Sequence, residues 1–172
     1  VSGAHLNPAV TLALVVFKGF PLRKALGYIF AQIIGATVAA FLNLASFSHA
    51  IVAFEAKEAL VRGTAEAIRS APGVMTFGAH GVNALGCGML EGLQMAFLMF
   101  VILSTTHEDA NCGGAACGLI GLTVAALISV YGPLTAGFNP ARDLGPRIIA
   151  AIFGWGRPSF AGFLPFMIGP II

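Results

Sequence analysis

An all-α fold, a polytopic membrane helix bundle with two re-entrant half-helices forming an inverted repeat, is the class this sequence predicts. Three observations predict it. Of 172 residues, 58% are hydrophobic and only 9% are charged, whereas a soluble domain carries about 25% charged residues. With a mean hydropathy of +0.90, the solvent is lipid rather than water. Long stretches free of charge recur, the clearest lying between Lys24 and Glu55. Finally, an Asn-Pro helix start stands twice inside apolar sequence, at Asn7-Pro8 and at Asn139-Pro140. Asn is a favoured N-cap, and Pro fits the first helical position because its missing N–H would have been unpaired there.

The first element is a half-helix over 7–17. Its length is about 16 Å at 1.5 Å per residue, where a span needs about 20 residues. Gly19 and Pro21 end it, and Lys18, Arg23 and Lys24 form a basic cluster that favours the cytoplasmic side. A transmembrane helix follows over 25–52, with Gly27, Ala31 and Gly35 making one small-residue face for close packing. Residues 53–84 form a mixed-charge loop, with a surface helix expected over Phe54 to Ser70.

A second span covers 85–105, with Gly88, Gly92 and Ala96 on one face, and a third covers 115–131, with Cys117, Gly121, Ala125 and Ser129 on one face. His107-Glu108-Asp109 between them reads as a solvated turn. The second half-helix occupies 139–153 and is again too short to span. Trp155-Gly156-Arg157-Pro158 reads as an interfacial turn, and a last transmembrane helix starts over 160–172. Both chain ends read as cut, so a fragment of a longer membrane protein is expected.

Three spans, an odd number, separate the half-helices. They therefore enter from opposite faces, and their N-termini meet near the bilayer midplane, as in repeat-built transport proteins. Two facing N-termini place a positive potential there, about half a charge each. Cations are repelled and neutral solutes are not. Asn7 and Asn139 can cap through oxygen while presenting NH2 donors to what passes. The irregular residues before each cap, Gly3-Ala4-His5 and Thr135-Ala136-Gly137, carry carbonyls without helical partners, a ladder of acceptors. Donors and acceptors along one narrow wall suit water or a small polyol.

Other polar residues are read beside this. Arg142 lies one turn after Asn139, where its five fixed donors could grip a hydroxyl; the alternative is an arginine snorkelling to headgroups. Asp143 complements the helix dipole. Glu91 within a span costs about 2.5–3.5 kcal/mol unless compensated, and is read as a buried brace for a re-entrant loop rather than a pore charge. His5 is either a wall residue or a loop brace. Net charge of +2 leaves no nucleic-acid footprint. Cys87, Cys112 and Cys117 are read as free thiols with no metal site, and no cofactor is implied. No serine or cysteine partner at a recognisable spacing accompanies Glu91, His5 or Asp143, so an enzyme is not the reading.

Ser2-Gly3-Ala4-His5-Leu6-Asn7-Pro8-Ala9-Val10-Thr11 together with Asn139-Pro140-Ala141-Arg142-Asp143-Leu144-Gly145-Pro146-Arg147 closely resembles the major intrinsic protein (aquaporin) family, in its aquaglyceroporin or glycerol-facilitator branch. Asp143 after the arginine, followed by Arg147, is the branch's pattern, and Pro165 resembles its last helix. The resemblance implies a passive channel for glycerol with water and urea, in a plasma or inner membrane, working as a homotetramer within the lipid bilayer. It implies that Asn7, Asn139 and Arg142 contact the solute, that Arg142 belongs to the constriction, and that Glu91 braces a loop, with Pro8 and Pro140 completing the motifs. A complete member has six spans, so two would precede this chain, leaving an open-sided groove that does not conduct alone.

The chain also departs from the branch. An aromatic is usual three residues before the second Asn, where Ala136 stands, with Phe138 directly before Asn139. Ile128 stands where a small glycine is frequent near the constriction. Solute range is therefore open between glycerol, water and small metalloids, with a non-conducting structural protein as the reading from another class.

Overall fold

The computed structural model describes residues 3–73 and 81–172. Ser2 of the first motif and residues 74–80 of the 53–84 loop lie outside the described residues. Helix α1 runs Pro8–Lys18, with Asn7 as N-cap and Gly19 ending it at φ 64°. Only a residue tolerant of the left-handed region closes a helix in this way.

Helix α2 runs Leu22–Lys57, 36 residues, or about 54 Å, well beyond a hydrocarbon core of about 30 Å. This corrects the expected end at 52 and the expected surface helix over Phe54 to Ser70. Glu55, Ala56 and Lys57 are good helix formers and carry the span onward. After it the chain turns at Ala59, with φ 52°, and a 3₁₀ segment occupies Glu66–Gly73.

Helix α3 runs Ala84–Thr105, capped by Asn83, whose side chain accepts from the Gly86 N–H at 2.7 Å. His107, Glu108 and Asp109 form an exposed 3₁₀ turn. Helix α4 runs Ala115–Tyr131. Helix α5 runs Pro140–Ala150 and passes into a π turn over Ala151–Trp155, where Gly154 at φ 112° stops it. Helix α6, Leu164–Ile168, is short and continues as a 3₁₀ turn over Gly169–Ile171. The helix predicted from residue 160 is thus broken at its start, where a separate 3₁₀ turn spans Arg157–Phe160.

Two apolar clusters hold these elements. One joins Ala9 and Val10 of α1 to Met95, Leu98 and Met99 of α3, Leu127 of α4 and Phe138. The other joins Ala40, Leu44 and Ile51 of α2 to Ile149, Ala150, Trp155 and the loop residues Ala67 and Ala71.

Close backbone crossings set the positions of α5 and the C-terminal turn. A Cβ on Gly145 would lie 2.7 Å from the Thr37 nitrogen, and one on Gly169 2.6 Å from the Gly88 oxygen. The Gly88/Gly92 face of α3 is therefore used. The corresponding faces of α2 and α4 are not: Gly27, Gly35 and Gly121 meet nothing within 4 Å, and Ala31, Cys117, Ala125 and Ser129 are exposed. Spacing identifies which faces can pack closely, while the partner present decides which do. Helix α4 instead packs through Ile120, Val124, Leu127 and Tyr131.

Trp155 also departs from expectation. It is fully buried rather than set at a headgroup interface. Its indole N–H lies 3.0 Å from both the Ala67 carbonyl and the Ser70 hydroxyl, and the Arg62 guanidinium stacks 4.0 Å over its ring. Arg62 further binds Glu55 at 2.8 Å and the Phe153 carbonyl at 3.0 Å. The loop after α2 is thereby fastened to the far end of α5.

Candidate functional site

The local sequence at each Asn-Pro fixes the site. Asn7 Oδ1 accepts from the Ala9 N–H at 2.9 Å, and Asn139 Oδ1 from the Ala141 and Arg142 N–H groups at 3.1 and 3.3 Å. Pro8 and Pro140 take the first helical positions. Each cap thus holds its own helix start and leaves an NH2 group pointing away from it.

Those NH2 groups tie the two loops together. Asn7 Nδ2 donates to the Phe138 carbonyl at 2.7 Å, and Asn139 Nδ2 donates to the Leu6 carbonyl at 3.0 Å. The two half-helix N-termini therefore meet within one hydrogen-bonded ring. The expectation that both amides face outward as donors is corrected in part, since one N–H of each is engaged by the opposite loop. Phe138, at φ 26°, enters through its backbone. Its ring packs with Ala9, Val10 and Met95 in the core rather than standing in the opening, and Ala136 packs at the edge of the same cluster.

The second loop is suspended from α3. Glu91, fully buried, accepts from the Gly137 N–H at 2.8 Å, and also from the Thr135 hydroxyl and the Phe138 N–H. Three donors converge on one carboxylate, the compensation that a buried acid requires. One turn on, Gln94 Nε2 donates to the Thr135 carbonyl at 3.1 Å. Gly137 leaves no room for more, because a Cβ there would lie 2.7 Å from Glu91 Oε2 and 2.5 Å from the Phe166 ring.

The first loop is suspended from α2 in a comparable way. Gln32 Nε2 donates to the His5 carbonyl at 2.6 Å and to the Thr11 hydroxyl at 2.9 Å. The His5 ring is held 4.8 Å from Phe20 and 5.1 Å from Tyr28. Gly3 and Ala4 adopt φ 78° and 51°, turning successive peptides away from any helical direction. Of the six carbonyls read as an acceptor ladder, those of His5 and Thr135 accept from these glutamines, leaving each one lone pair.

Arg142, one turn after Asn139, is exposed, and its guanidinium forms no hydrogen bond or ion pair with a described residue. Ile128 is also exposed, at 44%. Asp143 does more than complement a dipole. It is buried, and its carboxylate meets Arg147 Nε at 2.7 Å, while Arg147 Nη1 donates to the Ser159 carbonyl at 2.7 Å and the Ala161 carbonyl at 3.1 Å. The pair ties α5 to the turn after it.

Gln32 and Gln94 are not among the residues that the sequence marks, and Thr135 is marked there for its carbonyl rather than its hydroxyl. A lone amide in an apolar run carries no charge that demands a partner. The available signal was spacing, since Gln94 follows Glu91 by three residues and shares its helix face.

Comparison with known proteins agrees with this geometry. The profile of the major intrinsic protein family matches residues 1–172. The chain is 38% identical over 177 residues to a propanediol uptake facilitator of Salmonella typhimurium, covering 100% of this chain and 67% of the relative. It is 40% identical over 176 residues to a glycerol uptake facilitator of Pseudomonas aeruginosa, covering 99% and 63%, respectively. With the glycerol uptake facilitator of Escherichia coli it shares 39% identity over 181 residues, covering 100% and 64%. The chain thus spans about two thirds of the length of the curated relatives it matches. The X-ray structure of the aquaglyceroporin from Plasmodium falciparum superimposes with a TM-score of 0.78 at 24% identity, covering 98% of this chain and 69% of that one, a likeness of fold. This chain is an integral membrane protein that belongs to the major intrinsic protein family, in its aquaglyceroporin branch.

Proposed function

We propose that the whole protein is a passive channel for small uncharged solutes, glycerol first, then water and urea. The observation that carries this reading is the ring in which Asn7 and Asn139 each cap one half-helix and bind the opposite loop. Two helix N-termini converge there, so the field opposes cations and hydronium and leaves neutral hydroxyl compounds unopposed. The exposed Arg142 supplies a fork of donors for a hydroxyl pair. The names of the relatives, glycerol and propanediol uptake facilitators, support small polyols as the solute class. No covalent step and no cofactor enter.

Ile128 favours a second reading. A branched side chain where the family is frequently small narrows the constriction toward water or small metalloids. By resemblance the protein works as a homotetramer in a plasma or inner membrane. Stopped-flow light scattering on vesicles holding the full-length protein tests the reading, with glycerol and water flux measured separately. Fast glycerol entry changed by Arg142→Ala supports the glycerol channel; fast water entry without glycerol selects the second reading. Neither flux above that of lipid alone sinks both.

A further inference from the structure

The hydrogen-bonded ring is not symmetric, and the difference lies in a residue outside both Asn-Pro motifs. Asn139 Nδ2 has one partner among the described residues, the Leu6 carbonyl at 3.0 Å. Asn7 Nδ2 has two: the Phe138 carbonyl at 2.7 Å and the Met95 thioether at 3.6 Å. With Oδ1 held by the Ala9 N–H, every polar atom of the Asn7 amide is engaged. Met95 is 3% exposed and sits between α1 and α3 among Ala9, Val10 and Phe138.

A thioether is a weak acceptor, far weaker than a hydroxyl or carbonyl oxygen. It occupies the N–H between solutes, yet it yields when a better acceptor arrives. We propose that Met95 is a specificity-determining residue of the channel, a placeholder acceptor that holds the second N–H of Asn7 between solutes and releases it to a solute hydroxyl. The inference rests on the channel reading above and goes further, because it assigns the affinity of the mid-pore to a side chain on α3. The acceptor strength of residue 95 sets how firmly a polyol is held at the meeting point. Asn139 meets the solute with a donor that has no such competitor.

Two substitutions separate the effects. Met95→Leu keeps the volume nearly unchanged and removes the acceptor; Met95→Gln replaces it with a strong one. Glycerol flux is measured against glycerol concentration in vesicles of the full-length protein. The half-saturating concentration falls in Met95→Leu and rises in Met95→Gln, each by about two- to tenfold, the range a net hydrogen bond carries. Met95→Ile, which also lacks an acceptor, shifts with Met95→Leu and guards against a packing fault in one variant. Equal half-saturation in all the variants, or shifts of the same sign for Leu and Gln, overturns the role of Met95 and leaves the channel reading standing. Absence of wild-type glycerol flux overturns the channel reading and this inference with it.

Discussion

Asn7 and Asn139 hold one another's loops: the amide of each donates to the carbonyl that precedes the other, at 2.7 and 3.0 Å. Neither half-helix start is therefore positioned by its own neighbourhood alone. Losing one asparagine removes a helix cap and a tie to the opposite loop together.

Asn7→Ala is accordingly expected to destabilise the protein by about 2 kcal/mol, roughly one for the cap and one for the tie. The unfolding midpoint in detergent measures it. Asn7→Asp retains the capping oxygen but sets a second oxygen against the Phe138 carbonyl in a buried place, so its loss is expected to exceed that of Asn7→Ala. An Asp variant less damaged than Ala contradicts this account of the tie.

Glu91→Gln turns an acceptor into a mixed group facing the Thr135 hydroxyl and the Gly137 and Phe138 N–H donors. Two donors then oppose one another in a buried place. A cost of about 2–4 kcal/mol is expected, read as a lower unfolding midpoint and faster proteolysis of the 135–138 loop.

Gly137→Ala places a methyl group 2.5 Å from the Phe166 ring and 2.7 Å from Glu91 Oε2. The loop or α6 must move. Overpacking of this kind costs about 1–3 kcal/mol, and solute flux is expected to fall more than tenfold even where folded protein is recovered. Unchanged flux would show that the 135–138 loop can shift without disturbing the pore.

Arg147→Lys keeps the charge beside Asp143 but loses the fork that also reaches the Ser159 and Ala161 carbonyls. Breaking a buried pair costs about 3–5 kcal/mol, and this variant, which keeps one contact, is expected to lose about 2 kcal/mol. Asp143→Asn combined with Arg147→Lys should cost less than the sum of the two single changes. Thermal unfolding of the four proteins supplies the cycle.

The helix starts at Asn7 and Asn139 were legible because an N-cap and a proline act locally, within a few residues. Glu91 was legible as the one acid in an apolar span. The partners that make these residues a site were not, because Gln32 and Gln94 carry no charge, Met95 is apolar, and all three matter only through contacts distant in sequence. Trp155 was misplaced for a related reason. A tryptophan near a span end suits a headgroup layer on composition alone, and its burial depends on the Arg62, Ala67 and Ser70 loop returning over it. The small-residue stripes showed which helix faces can approach closely, but Gly92 and Gly27 read alike until Gly169 is found against one and open space against the other.

The tie from Asn7 to Phe138 joins residues 131 positions apart, and this separation sets an order of assembly. At a synthesis rate of about 5–20 residues per second, the amide of Asn7 waits on the order of ten seconds for the carbonyl it binds. Until then the first half-helix sits in the membrane without its counterpart, anchored by Gln32 on the helix that follows it. That early anchor carries the nascent chain through the interval, so a defect at Gln32 would be felt during biogenesis as well as in the folded protein.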